Sequence, residues 1–286
     1  FVATANAVSY VGAHPVFVDI DERDLAMDIK CIEEFFSTCV VIDSEGTPKI
    51  KSSDKRLAAI VIVHVLGAVG NIEGIIQMAK RYGVAVVEDA AEALGTRLGG
   101  AMAGVLGDVA AISFNGNKII TSGAGGAVVK PRGAFKNARH LGTTAKVYAD
   151  YPECQRHDAV GYNYGMSGLS ASLLGSQLDK LESYIISKTE IFQMYREYFG
   201  SCEGVDLLEP RSDSRPNHWL NAVRFDSEIN ALKFVEEAAE LGIFCRFLWS
   251  PLSELKPFEG CKKFKVEAAL TVASKTVCLP SGVYGG

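Results

Sequence analysis

Short apolar runs alternate with helical stretches through about residue 130 of this 286-residue chain. Runs rich in Val, Ile and Ala are typical of strands that are buried on both faces of a sheet. Strands and helices that take turns indicate a mostly parallel sheet, because parallel strands need a crossover connection. We therefore predict an α/β fold with strands at Pro15–Ile20, Ala58–His64, Val84–Asp89, Ala110–Phe114 and Gly126–Lys130.

Helical periodicity completes this first unit and leads into a second one. Residues Ile72–Tyr82 repeat apolar side chains at helical spacing and precede Gly83, a residue suited to end a helix. A long helix from Ser167 to about Phe199, straight or bent, leads into a strand, a helix and a strand at Leu220–Phe225, Glu228–Leu241 and Ile243–Phe247. We therefore expect a large domain over residues 1–170, and a connecting helix with a smaller α/β domain over residues 171–286.

Two polar stretches interrupt the pattern. Residues 41–56 follow a helix predicted near residues 28–38, and their many charged and turn-forming side chains indicate an excursion from the sheet. Residues 143–160 are charged, contain Pro152 and indicate a second loop.

Composition excludes several classes of function. The net charge of −5 gives no basic surface for nucleic acid or for an anionic membrane. No apolar stretch has the length of a membrane span, and the start lacks the basic flank and cleavage site of a signal peptide. The seven cysteines and five histidines show no metal-ligand spacing, so we expect no metal site and a cytoplasmic protein with reduced thiols. His64, at a strand end, is expected to have a structural or positioning role.

Three polar residues near the ends of two predicted strands suit one cofactor. Asp89 closes a strand, and the next strand leads through Ser113 to Lys118. A lysine can bind the aldehyde of pyridoxal phosphate covalently, a carboxylate can keep its pyridine nitrogen protonated, and a serine hydroxyl can hold its phosphate. Taken singly, a loop lysine is usually solvated and such an aspartate usually caps a turn. The carboxyl ends of parallel strands share one edge of a sheet, which favours a cofactor site.

The motifs around these residues resemble one family over the whole chain. The segments are Phe1–Val8, Val11–Asp21, Glu88-Asp89-Ala90-Ala91-Glu92, Ser113-Phe114-Asn115-Gly116-Asn117-Lys118, Val160–Tyr164, Asn217–Ala222 and Leu279–Gly282. They are similar to the DegT/DnrJ/EryC1/StrS sugar-nucleotide aminotransferases. The resemblance implies the pyridoxal phosphate-dependent transferase fold of type I, with a mostly parallel, seven-stranded-type sheet and a smaller C-terminal α/β domain. It also implies that the N-terminal part of the family fold, with a helix that binds the cofactor phosphate, is missing from this chain, which is then a fragment or has lost part of its cofactor site.

The resemblance assigns roles within the site. It implies that Lys118 binds pyridoxal phosphate and carries protons, that Asp89 pairs with the pyridine nitrogen, and that Ser113 binds the phosphate. Phe1 would stack on the pyridine ring. Glu92 falls where the family often has Gln or His near the phenolic oxygen, and a carboxylate there would repel a phenolate unless it is protonated.

The resemblance also implies a homodimer with shared active sites. Asn163 would reach the phosphate in the neighbouring subunit, although a polar loop residue is the simpler interpretation. Gly165 and Gly168 depart from the family pattern, which has arginine at position 165. Glycine there weakens the start of a helix by about 1 kcal/mol relative to alanine.

The expected function is transfer of an amino group from an amino acid, glutamate by family habit, to a nucleotide-linked 4-keto-6-deoxy sugar. The runs Phe114–Thr121 and Leu141–Lys146 are most similar to the branch that makes 4-amino sugars such as perosamine. Two alternatives remain. One is a dehydratase that uses pyridoxamine phosphate, which Lys118 disfavours because those relatives replace the lysine. The other is a degenerate homologue that acts as a regulator or dimerisation module.

Overall fold

The computed structural model describes residues 1–130, 135–147 and 156–283. Pro152, predicted in a loop, and Gly286 lie outside the described residues. The α-helices are α1 (Ala3–Tyr10), α2 (Ile29–Cys39), α3 (Ile72–Tyr82), α4 (Phe135–Gly142), α5 (Gly168–Leu178), α6 (Leu181–Phe199), α7 (Glu228–Glu240) and α8 (Glu267–Lys275). Among the described residues, none of the helices combines the length and the apolar character needed to cross a membrane.

The strands are short and numerous. They are β1 (Val16–Val18), β2 (Val40–Ile42), β3 (Pro48–Ile50), β4 (Lys55–Arg56), β5 (Ala59–Val63), β6 (Ala85–Asp89), β7 (Arg97–Leu98), β8 (Ala101–Met102), β9 (Val109–Ser113), β10 (Gly126–Val129), β11 (Lys146–Val147), β12 (Arg156–His157), β13 (Val205–Leu207), β14 (Ser214–Arg215), β15 (Asn221–Phe225), β16 (Arg246–Phe247), β17 (Lys262–Phe264) and β18 (Thr276–Leu279).

The central sheet has the order β10-β9-β6-β5. Strands β5, β6 and β9 are parallel, and β10 runs antiparallel to β9. Asp89 at the end of β6 is in register with Val63 and Ala111, so the ends of three strands meet at one edge. The five strands predicted from the sequence are all present, with ends that differ by at most two residues, although β1 pairs with β17 outside the central sheet.

Alternating burial explains why these runs form a covered sheet. Ile60, Ile62 and Val86 are buried and pack in one core with residues of α2 and α3, including Ile72 and Met78. Burying such side chains contributes about 1.5–3 kcal/mol each.

Helix α3 has the bounds that its periodicity predicts. The Asn71 side chain accepts a hydrogen bond from the backbone N–H of Gly74 at its start. Gly83 follows its end with a φ of +66°, a conformation that costs glycine little.

A second, antiparallel sheet has the order β13-β15-β18-β16. It packs against α7 around Val223, Ala231 and Val277, which are almost fully buried. The predicted long helix is two helices, α5 and α6, that meet at Asp179 and Lys180. Helix α5 begins at Gly168 despite its low helix propensity, because the Ser167 hydroxyl accepts a hydrogen bond from the backbone N–H of Ser170.

The polar stretch at residues 41–56 is more ordered than its composition indicates. It forms a three-stranded antiparallel sheet in the order β2-β3-β4. Pro48 and Ile50 are buried on either side of the half-buried Lys49, which is the alternation of a strand. Gly46 has a φ of +80° in the turn between β2 and β3.

Candidate active site

Asp89 lies at the carboxyl edge of the central sheet, at the end of β6. The Thr4 hydroxyl on α1 donates a hydrogen bond to Asp89 Oδ2 at 2.5 Å, and the Ala91 N–H donates to Oδ1 at 3.1 Å. The backbone N–H of His64 donates to the Asp89 carbonyl at 3.1 Å. These contacts fix the carboxylate, and no cation among the described residues forms an ion pair with it, so it can accept a hydrogen bond from a protonated ring nitrogen.

Lys118 and Glu92 face each other across the site. Lys118 Nζ lies 3.8 Å from Glu92 Oε1, and Leu66 N–H donates to Glu92 Oε2 at 2.8 Å. Burial raises the pKa of the Glu92 carboxyl, against the opposing effect of the Lys118 charge. Burial also lowers the pKa of Lys118, which the charges of Glu92 and Asp89 oppose. Burial thus favours the neutral form of both groups, the form in which Glu92 can donate a hydrogen bond.

Trp219 forms the floor beneath Lys118. The Lys118 Nζ lies 4.0 Å from the centre of the Trp219 ring, a cation–π distance. The Trp219 indole N–H donates to the carbonyl of Asn117 at 2.8 Å. Trp249 stacks on Trp219 with ring centres 6.1 Å apart, and Phe1 meets Trp249 edge-on at 6.4 Å. An aromatic wall therefore runs from Lys118 to Phe1.

Ser113 ends β9 at the start of the loop that carries Lys118. Its hydroxyl accepts a hydrogen bond from the Asn115 N–H at 3.2 Å and is half-buried. The loop is held by the Thr121 hydroxyl, which donates to the Phe114 carbonyl at 2.9 Å. Gly126 follows, and a Cβ there would lie 2.5 Å from the Ile112 carbonyl oxygen, so the close approach of β10 to β9 requires glycine.

Asn163 pairs with a different part of the chain. It forms an isolated antiparallel bridge with Thr143, and its side chain is exposed.

Of the residues predicted from the sequence, the structure brings Asp89, Glu92 and Lys118 together, with Phe1 at the end of the aromatic wall.

His64 and Glu88 form a buried pair next to Asp89, and the structural or positioning role expected for His64 stays a prediction. Both side chains are fully buried, with His64 Nε2 2.9 Å from Glu88 Oε2. Glu88 also accepts hydrogen bonds from the N–H groups of Gly104, Leu106 and Gly107 at 2.6–2.7 Å. His64 and the backbone donors hold the pKa of Glu88 below its usual value, although burial opposes them. This network fastens the loop after β8 to the strand that carries Asp89.

The segment Asn217–Trp219 contains site residues to which the sequence assigned no role. The Asn217 amide donates to the carbonyls of Glu92 and Leu94 at 2.8 and 3.0 Å, and so holds the turn that carries Glu92. A Cβ at Gly67 would lie 1.9 Å from Asn217 Oδ1. The sequence offered one signal for this part of the site, which is that Trp219 and Trp249 are the only two tryptophans of the chain.

The chain matches the model of the DegT/DnrJ/EryC1/StrS aminotransferase family over residues 1–284. The chain belongs to this family. It is 31% identical over 287 residues to the putative pyridoxal phosphate-dependent aminotransferase EpsN of Bacillus subtilis (strain 168), and the match covers 99% of this chain and 70% of that protein. It is 32% identical over 225 residues to a GDP-perosamine synthase of Escherichia coli O157:H7, covering 78% of this chain and 56% of the relative.

The crystal structure of a family member from Brucella abortus superposes with a TM-score of 0.88 at 23% identity, and covers all of this chain and 73% of that one. The family match confirms the expected family and cofactor, and this superposition confirms the expected fold, although the central sheet of the described residues has four strands where seven were expected. The donor set fits pyridoxal phosphate, because the half-buried Lys118 amine, the Asp89 carboxylate at the strand edge and the Glu92 carboxyl with its raised pKa lie near one another. Which residue performs which role remains a prediction.

Proposed function

We propose that this protein is a pyridoxal phosphate-dependent aminotransferase that moves an amino group from glutamate to a nucleotide-linked 4-keto-6-deoxy sugar. The observation that carries the proposal is the half-buried Lys118 amine, with Glu92 at 3.8 Å and Trp219 beneath it. When bound, pyridoxal phosphate supplies an aldehyde and a ring that accepts electrons from the substrate. The names of the relatives, an aminotransferase and a GDP-perosamine synthase, support the substrate class.

Each site residue has a defined task in this proposal. Lys118 would hold the cofactor through its amine and would carry a proton at the reacting carbon of the substrate, a task that the lowering of its pKa by burial assists. Asp89 would keep the pyridine nitrogen protonated, and Ser113 would bind the phosphate. Burial raises the pKa of Glu92, which favours the protonated form that would donate a hydrogen bond to the phenolic oxygen, and Phe1 would cover the ring.

The two alternatives fit the site less well. A dehydratase of this fold would not need the lysine that Lys118 provides. A degenerate homologue would have no reason to keep a half-buried amine over an aromatic ring at the cost of its desolvation.

A spectrum of the purified protein tests the proposal. We expect added pyridoxal phosphate to give the visible absorption band of the lysine-bound cofactor. Glutamate should convert this band to that of pyridoxamine phosphate, and a nucleotide-linked 4-keto-6-deoxy sugar should restore it. A folded protein that forms no such band would contradict the enzyme and support the degenerate homologue. A band that responds to glutamate but to no keto-sugar would contradict the acceptor class alone.

We further propose that the protein acts as a homodimer in the cytoplasm. Residues around Asn163 and on α5 expose apolar side chains that a soluble surface rarely carries together, and Val160, Tyr164 and Leu169 are 91%, 77% and 84% exposed. A second copy that covers this surface would bring Asn163 to the neighbouring phosphate. Six described cysteines are free thiols, as a reducing compartment favours.

Mixed dimers test whether the sites are shared. Lys118→Ala and Asn163→Asp should each be inactive alone, because one lacks the amine and the other places a carboxylate beside the phosphate. When the two variants are unfolded together and refolded, half of the dimers are mixed and each has one intact site, so activity should return to about one quarter of wild type. Each variant refolded alone is the control. If the mixture forms dimers but recovers no activity, Asn163 does not belong to the active site of the neighbouring subunit.

A further inference from the structure

A buried lysine on α6 lies apart from the residues assigned to cofactor and substrate. Lys188 is 6% exposed, and its Nζ donates hydrogen bonds to the carbonyl oxygens of Trp219, at 3.0 Å, and of Ser281. Both partners are neutral, and burial lowers the pKa of Lys188 to about 8. Burying an ammonium group against carbonyls alone is costly, and an apolar side chain on α6 would avoid that cost.

Helix α6 holds the segment before Trp219 in an unusual conformation. His218 has a φ of +47°, a region that residues other than glycine rarely occupy. Its ring stacks on Phe192, one helical turn after Lys188, with ring centres 4.3 Å apart. A strained residue persists where its surroundings fix it on both sides. Here Phe192 fixes the ring of His218, and Lys188 fixes the carbonyl of the residue that follows.

The side chain of Trp219 transmits this placement to the reacting amine. Its indole N–H holds the carbonyl of Asn117, the residue directly before Lys118, and its ring lies beneath the Lys118 Nζ. Ile119 and Ile185 pack in the same buried cluster as Trp219, so α6 also supports the other side of the lysine loop.

We propose that Lys188 is a positioning residue for Lys118, acting through the Trp219 carbonyl to fix the indole against Asn117 and the Lys118 amine. The proposal rests on the proposed function, since it assigns Lys188 a part in the work of Lys118. Displacing a reacting group by a fraction of an ångström slows chemistry more than it weakens binding, so the role belongs to kcat rather than to KM.

The first test needs no cofactor. In a Trp249→Phe background, Trp219 is the only tryptophan and its fluorescence reports its own surroundings. We expect Lys188→Met to raise the acrylamide quenching of Trp219 roughly twofold, because the carbonyl loses its charged donor. Lys233→Met, at an exposed lysine of α7, should leave quenching unchanged.

The second test measures turnover in the native-tryptophan protein. Lys188→Met should lower kcat roughly tenfold and change the KM for glutamate and the KM for the keto-sugar each by less than twofold. Lys188→Arg, which keeps hydrogen-bond donors, should recover part of the rate. Trp219→Phe, which keeps a ring but loses the indole N–H, should lower kcat similarly, and the double variant should be no slower than the slower single variant. If Lys188→Met does not fold, Lys188→Arg and Trp219→Phe carry the test.

The outcomes separate this role from the proposed function. Suppose that the wild type is active and that Lys188→Met folds. If the variant then keeps the wild-type quenching of Trp219 or the wild-type kcat, the role of Lys188 is overturned and the proposed function is not. Additive losses in the double variant would also overturn it, since the two residues would then act independently. A wild type without glutamate-dependent conversion would overturn the proposed function, and the positioning role with it.

Discussion

Replacing Lys118 with alanine is expected to reduce transamination by on the order of 10⁴-fold or more, because one amine both binds the cofactor and carries the proton. The effect should fall on kcat, and the visible band of the lysine-bound cofactor should be absent from the variant. The fold should tolerate the change, since the amine makes one long contact with Glu92 at 3.8 Å and one contact with the Trp219 ring. We expect the free energy of unfolding to change by about 1 kcal/mol.

A matched lysine distinguishes loss of chemistry from loss of charge. Lys80→Ala removes an exposed lysine from the last turn of α3, far from any assigned role, and should keep wild-type turnover. Addition of a small primary amine to Lys118→Ala should restore a measurable part of the rate, because free amine can carry the missing proton. Turnover by Lys118→Ala within tenfold of wild type would remove Lys118 from the chemistry.

The sequence predicted those parts of the site that depend on local order. Asp89 and Ser113 close strands whose apolar runs are evident in the sequence, and parallel register brings strand ends to one edge without further information. The bounds of α3 were predictable for the same reason, since the apolar periodicity of Ile72–Tyr82 and the glycine at position 83 lie within one stretch. The division near residue 170 stays a prediction.

The floor of the site depended on contacts between distant segments. Trp219 is about one hundred positions from Lys118, and its place follows from Asn217, Lys188 and the packing of α6, none of which has a local signature. The sequence showed only that Glu92 would have to be protonated to lie near a phenolate. It could not predict the raised pKa, because burial is a property of the assembled fold.

Replacing Asp89 with asparagine is expected to lower kcat by roughly 10²- to 10⁴-fold, because removing one partner of a partly buried charge pair costs about 3–5 kcal/mol. Asparagine keeps the shape, its oxygen can still accept from the Ala91 N–H, and its amide NH2 can donate to the Thr4 hydroxyl, so the fold and the cofactor band should persist. What is lost is the charge that keeps the pyridine nitrogen protonated. Steady-state rates with glutamate and a keto-sugar, together with the cofactor spectrum, measure the two effects separately.

Two controls locate this loss at the ring nitrogen. Thr4→Val removes the hydrogen bond to Asp89 Oδ2 but leaves the charge, and should slow turnover by less than about tenfold. Pyridoxal phosphate methylated at the ring nitrogen carries a permanent charge, so it should restore much of the rate to Asp89→Asn and little to Lys118→Ala. If the methylated cofactor helps neither variant, or if Thr4→Val is as slow as Asp89→Asn, the carboxylate serves to order α1 against the sheet edge instead of holding the proton. Separate responses of the two variants would show that Asp89 maintains the electron acceptor while Lys118 moves the proton.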